Sequence, residues 1–339
     1  MAKKIFPILL ILIFSEVSYT QLKYSNLGDF HLENGDIIEK CFVAYRTFGA
    51  LNEDKSNAIL FPTWFAGTSE HLINHIGKGK MADSTKYFVI AVDALGNGVS
   101  SSPSNSPGQP NEYFPEFTIH DMIESQYQML KKEFKFESIY GIIGGSQGGM
   151  QVFEWVTSYP DFIKKAVAYV ASPKLTFYDK LLWQTELDII ELGLAGGCHD
   201  SIIVKAVSSL QTSHIRTIKY YNTKYSPDDF TNFIAGTYKT YKNLFNSYNW
   251  ASQLKAMLQH DVYKKFNYSK EAAAKVFKGD LFIIVGTDDM MVNPAPAIEF
   301  AELSGAKLFI LENDCGHLSP GCEMIRFVGE VNMFFEVRK

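Results

Sequence analysis

Apolar residues gather along the chain in short runs bounded by Gly, Pro, Asn, Asp and Ser. The runs "NAILFPT", "YFVIAVDA", "SIYGIIGG" and "KAVAYVAS" come first, and "DLFIIVGT" and "KLFILEN" follow much later. Ile, Val and Phe without alternation are the pattern of strands buried on both faces of a parallel sheet. Ahead of them, "FHLENGDIIEKCFVAYRTFG" reads as two strands turning at Asn34-Gly35, a strong hairpin signal. Between the runs the period lengthens to that of helices, in "TIHDMIESQYQMLKKEF", "GGMQVFEWVTSYP" and "PAPAIEFAEL", with "GCEMIRFVGEVNMFFEV" closing the chain. Strands and helices in this alternation predict an α/β domain with right-handed crossovers.

From Lys174 to Gly279 strand runs stop, and Tyr-rich amphipathic helix patterns take over. We read residues 174–279 as a helical insertion over the C-terminal edge of the sheet, where open α/β sheets bind ligands. It divides the core into residues 21–173 and 280–339. Residues 101–117, rich in Pro and Ser, form a long loop within the first part. At the N-terminus, Lys3 and Lys4 precede the apolar run Ile5 to Phe14, and Ser18 and Thr20 offer small residues for cleavage. This order reads as a signal peptide over residues 1–20 and predicts a secreted or periplasmic protein. The run is shorter than the ~20 apolar residues of a transmembrane helix.

Charge and cysteines alter the picture in two ways. A formal net charge of −5 and no long basic run leave no footprint for a phosphate backbone, so no nucleic-acid partner is expected. Export would preserve disulfides, and four cysteines allow three pairings. Cys315 and Cys322 in "CGHLSPGC" are near enough in sequence to bridge a loop, while Cys41 lies in a strand-like run and Cys198 in "GGCHDS". Small buried thiols are the plain alternative.

The chemistry centres on "GGSQG", Gly144 to Gly148, which fits G-x-S-x-G between a strand pattern and a helix pattern. A serine held on so sharp a turn needs neighbours without bulk. A phosphate cradle fits less well: no Lys-Ser/Thr follows the glycines, and G-x-G-x-x-G is absent from this turn. A nucleophilic Ser146 needs a base and an orienting acid, which α/β-hydrolases supply in the order Ser, Asp/Glu, His. Asp288 and Asp289 follow one late strand, and His317 follows the next. Asp289, which begins the turn "D-x-x-V", is preferred over its neighbour. The oxyanion hole needs two main-chain N–H groups. Gln147 offers one, and the loop "FPTWFAGTSEH" offers Phe65 or Trp64 for the other. "HLINH" spaces two histidines by four but lacks the glutamate of the zinc-protease motif, so it reads as a solvated helix face, and no metal or cofactor is expected.

Taken together, "GGSQGGMQVFEW", "AYRTFGALNEDKSNAIL", "KYFVIAVDALGNG" and "NWASQLKAMLQHD" resemble the homoserine O-acetyltransferase family of α/β-hydrolase-fold enzymes over nearly the whole mature length. The resemblance implies Ser146, Asp289 and His317 as triad, Phe65 and Gln147 N–H groups as oxyanion hole, and a helical lid that forms a homodimer. In that family an acetyl group passes from acetyl-CoA to serine and on to homoserine. Here Leu318 stands where the family has an aspartate for the homoserine amine. Tyr225, in "TKYSPDDF", stands where an arginine would be expected, and "TWFAGT", with Trp64, replaces a smaller loop. An amino acid zwitterion needs a partner for each charge. Ester hydrolysis of a small-molecule substrate is therefore the preferred expectation, and homoserine acetylation the second. A non-catalytic binding protein on the same scaffold is the remaining alternative.

Overall fold

The computed structural model describes residues 20–336. The signal-peptide expectation for residues 1–20 falls, apart from Thr20, outside the described residues. Strands β1 (Lys23–His31), β2 (Ile37–Phe48), β3 (Ala58–Pro62), β4 (Phe88–Val92), β5 (Ile139–Gly145), β6 (Ile163–Tyr169), β7 (Asp280–Gly286) and β8 (Lys307–Leu311) form one sheet in the order β1-β2-β4-β3-β5-β6-β7-β8. The β1–β2 and β2–β4 pairs are antiparallel and every later pair is parallel. This is the mostly parallel sheet with an N-terminal hairpin that the hydrophobic runs predict. The hairpin turn is wider than the dipeptide Asn34-Gly35, because the Leu32 N–H donates to the Asp36 carbonyl across it. Gly35 supplies its positive φ of 92°.

Because successive strand side chains face opposite ways, β3 feeds two cores. Leu60 packs with Ile90, Ile142, Phe153 and Trp155 on one face, whereas Ile59 and Phe61 join Val89, Ile143, Phe327 and Phe335 on the other. The helices ahead of the strand-free stretch are α1 (Ser69–Leu72), α2 (Ile119–Met129) and α3 (Gln147–Ser158). α4 (Phe177–Ala195), α5 (Asp200–Ile215), α6 (Ile218–Lys224), α7 (Phe230–Lys242), α8 (Ser247–Leu258) and α9 (Lys270–Val276) all fall between β6 and β7, and α10 (Ala295–Ser304), α11 (Ser319–Cys322) and α12 (Met324–Phe335) complete the chain. Thr118 and Thr176 begin α2 and α4 with reciprocal caps to Asp121 and Asp179, which satisfy otherwise orphaned N–H groups.

A third apolar cluster ties the inserted helices to the sheet, joining Leu95, Phe117 and Met150 to Trp183, Leu187, Trp250 and Met257. α9 differs, since Ala273 and Ala274 pack in the main core, so the chain is back on the sheet before β7 begins. Among the described residues no helix is long and apolar enough to cross a membrane.

Candidate active site

β5 ends in Gly144-Gly145, and α3 starts at Gln147, which leaves Ser146 alone to reverse the chain. Its backbone pays for the turn with φ 54° and ψ −127°, a conformation that L-residues avoid. The flanking glycines make room. A Cβ on Gly144 would collide with the Gly148 carbonyl, and one on Gly148 would stand 2.8 Å from the Pro62 carbonyl oxygen. Strand and helix can approach this closely only without those side chains.

The turn aims Ser146 at a histidine from the other end of the chain. Ser146 Oγ lies 2.9 Å from His317 Nε2, and His317 Nδ1 lies 2.7 Å from Asp289 Oδ2. The other Asp289 oxygen accepts the main-chain N–H groups of Met291 and Val292 at 2.9 and 3.0 Å. With the ring proton on Nδ1, facing the Asp289 oxygen, Nε2 is free to accept from the Ser146 hydroxyl. Asp289 and His317 are both buried, whereas Asp288 is exposed and takes no part in this chain of bonds.

Gln147 is the first residue of α3, so its N–H has no carbonyl within the helix to bond. The Phe65 N–H likewise has no acceptor among the described residues. The loop that carries it is held from the insertion: Gln253 on α8 accepts the Ala66 N–H at 2.9 Å and donates to the Leu95 carbonyl at 3.1 Å. Nothing in the sequence singled out Gln253 itself, although it lies within the stretch "NWASQLKAMLQHD".

A cavity of about 730 Å³ opens above Ser146 and His317. Trp64, Phe65 and Leu318 line it, as do Trp183, Gln211, Tyr241 and Trp250 from the inserted helices. Tyr225, read from the sequence as a pocket residue, is placed elsewhere. It is 41% exposed, with its ring 4.7 Å from that of Phe233, because the end of α6 turns it along the surface of the insertion. "HLINH" also needs correction: His71 and His75 line the cavity. His71 sits on α1 and His75 on the 3-10 turn Ile73–His75 that follows it, and both rings reach Trp64, stacked and edge-on, at 6.4 and 5.8 Å. Burial, then the charge of Lys80, holds His75 below the ordinary histidine range.

Behind this wall Glu186 is 1% exposed and accepts hydrogen bonds from Gln211 at 2.8 and 3.0 Å. Burial pushes its carboxyl up to about 8, against the opposing pull of Gln211. Cys315 and Cys322 are joined by a disulfide, while Cys41 and Cys198 are unpaired.

Known proteins give this geometry a setting. The family described as the alpha/beta hydrolase fold matches residues 59–320. The "Probable esterase Cgl0839" of Corynebacterium glutamicum is 30% identical over 87% of this chain and 88% of its own length. A homoserine O-acetyltransferase of Methanohalophilus mahii is 34% identical over 50% of this chain, and that match covers 39% of the relative. A solved acetylester hydrolase from Corynebacterium glutamicum superposes with a TM-score of 0.85, at 26% identity, over 94% of this chain and 96% of that one. Esterases and homoserine O-acetyltransferases thus both stand among its relatives, and this chain belongs to the alpha/beta hydrolase fold family of enzymes.

Proposed function

We propose that this enzyme hydrolyses small esters, acetyl esters foremost, through an acyl-serine intermediate on Ser146. The observation that carries the reading is the single line of hydrogen bonds Ser146–His317–Asp289 at the floor of a largely apolar cavity. His317 Nε2 takes the hydroxyl proton as Ser146 Oγ attacks the ester carbonyl carbon, and Asp289 stabilises the imidazolium that forms. The Phe65 and Gln147 N–H groups receive the oxyanion. The C–O bond then breaks, His317 returns the proton to the alcohol, and the alcohol leaves. Water repeats the sequence: His317 takes its proton, hydroxide adds to the acyl carbon, and the acid departs as Ser146 regains its hydrogen.

Acetyl esters are named because relatives similar over nearly their full length are an esterase and an acetylester hydrolase. Leu318 supports water over homoserine as the acceptor, since it brings no charge to an amine. Export through the Met1 to Thr20 segment belongs to the same proposal and would part the enzyme from cytosolic acetyl-CoA. So does a homodimer through the insertion, where Phe177, Leu192, Ile218 and Phe230 are each more than 60% exposed.

A fluorophosphonate should label Ser146 in the folded protein. In a panel of acyl esters and thioesters with and without homoserine, ester hydrolysis should dominate. Failure to label would remove the acyl-serine mechanism. O-acetylhomoserine formed from acetyl-CoA faster than esters are hydrolysed would install the acetyltransferase reading instead. That second reading is favoured by homoserine O-acetyltransferase relatives such as that of Methanohalophilus mahii, whose match spans half of this chain.

A further inference from the structure

"HLINH" has no part in the line of bonds at Ser146, yet it forms a wall of the same cavity. Two contacts fix His71 in that wall. Its Nδ1 accepts the Thr68 main-chain N–H at 3.0 Å, the bond that a Glu or Gln usually accepts in a capping box. Its ring stacks on Trp64, with 23° between the planes. The loop beneath is pinned as well. The Ser69 N–H donates to Asp93 Oδ1 at 2.7 Å, and the Trp64 ring folds so closely over Gly67 that a Cβ there would stand 2.7 Å from Trp64 Nε1.

The cap decides the tautomer. A main-chain N–H can only donate, so Nδ1 is unprotonated and the ring proton sits on Nε2. Nε2 lies on the edge of the ring turned away from Thr68, and among the described residues it has no hydrogen-bond partner. His71 thus offers the cavity an N–H donor without a charge. His75, edge-on to the same Trp64 ring, adds no charge either, because burial and then Lys80 hold it below the ordinary histidine range. A fixed neutral donor suits a neutral acceptor, such as an ether or carbonyl oxygen, and gains nothing from a methylene in the same place. An acetyl group has no oxygen beyond the scissile carbonyl, so in an acetyl ester that acceptor belongs to the alcohol portion.

We propose that His71 is a specificity-determining residue whose Nε2–H selects acetate esters of alcohols that carry a further uncharged oxygen, such as glycol ethers and partly acetylated polyols. The assignment rests on the hydrolase reading for its turnover arm and is independent of it for its binding arm. The probes are 2-methoxyethyl acetate and butyl acetate, which differ by an oxygen in place of a methylene. For the wild-type enzyme, kcat/KM corrected for the two esters' rates of alkaline hydrolysis should favour the ether by about three- to tenfold, with the gain in KM. The ratio divides out any shared effect on the Phe65 loop. It should fall to about one in His71→Phe, which loses cap and donor, and in His71→Glu, which keeps the cap and loses the donor. His71→Gln keeps both and should retain part of the preference. In Ser146→Ala, nitrogen NMR of the imidazoles should show His71 protonated at Nε2, with that resonance moving on addition of 2-methoxyethyl acetate and much less with butyl acetate. Equal treatment of the two probes by the wild type, a preference that survives His71→Phe in folded protein, or a His71 protonated at Nδ1 would overturn the proposal. Ether-selective shifts with neither ester hydrolysed by the wild type would keep His71 in its role and defeat the hydrolase reading.

Discussion

A disulfide joins Cys315 to Cys322 and closes the short loop that carries His317. The histidine therefore hangs from a braced turn that is also in contact with Arg216 through Cys322. Catalytic geometry is sensitive to displacements of about 1 Å. Reduction with a dithiol, or Cys322→Ser, should lower kcat about ten- to hundredfold and cost about 2–3 kcal/mol of stability for so short a loop. Activity assays before and after reduction, with circular dichroism to confirm the fold, give the answer; unchanged kcat in the reduced enzyme would show that the brace is dispensable.

Adjacent aspartates with opposite surroundings give a sharper test. Asp289 is buried against His317, and Asp288 faces solvent. Asp289→Asn would present an amide donor to Nδ1 and favour the wrong tautomer, with kcat falling by about 10⁴. Asp288→Asn should stay within about twofold of wild type. Comparable losses for both would assign the orienting role wrongly.

Gln253 reaches from α8 to hold the loop of Phe65, and it is 1% exposed. Gln253→Leu strands the Ala66 N–H and the Leu95 carbonyl, at a cost of about 1–3 kcal/mol. Kinetically the loss should fall on kcat by about tenfold, with KM little changed, since a loosened oxyanion donor matters most in the transition state. A rise in KM at constant kcat would mean that Gln253 shapes the pocket and leaves the donor alone.

Glu186 should make stability fall as pH rises from about 4 toward 8. Its folded pKa, pushed by burial up to about 8, exceeds the unfolded value near ~4.3. The native state therefore binds the extra proton between those values, and stability is full below about pH 4 and declines as pH rises toward 8. Glu186→Gln cannot ionise. Its unfolding free energy relative to wild type should climb by up to about 1.4 kcal/mol per pH unit across that window, as read from urea titrations at several pH values. Parallel curves for the two proteins would place the Glu186 proton wrongly.

The sequence by itself determined the strands, their mostly parallel sheet and the turn that holds Ser146, because these depend on local patterns. Runs of buried β-branched residues, helical periodicity and glycines around one serine all register within a few residues. It also ordered Ser146, Asp289 and His317 along the chain, although their hydrogen bonds span up to 171 residues and belong to the fold. Trp64, Phe65 and Leu318 were legible at the cavity, but tertiary structure decided the rest of its lining. Tyr225 turns away because α6 directs it along the surface, while His71 and His75, which read as a solvated face, turn inward onto Trp64. Arg216, Gln253 and the Glu186–Gln211 pair come from helices whose periodicity only says which face is apolar. A polar side chain becomes part of a site when distant elements close over it, and no local pattern records which elements those will be.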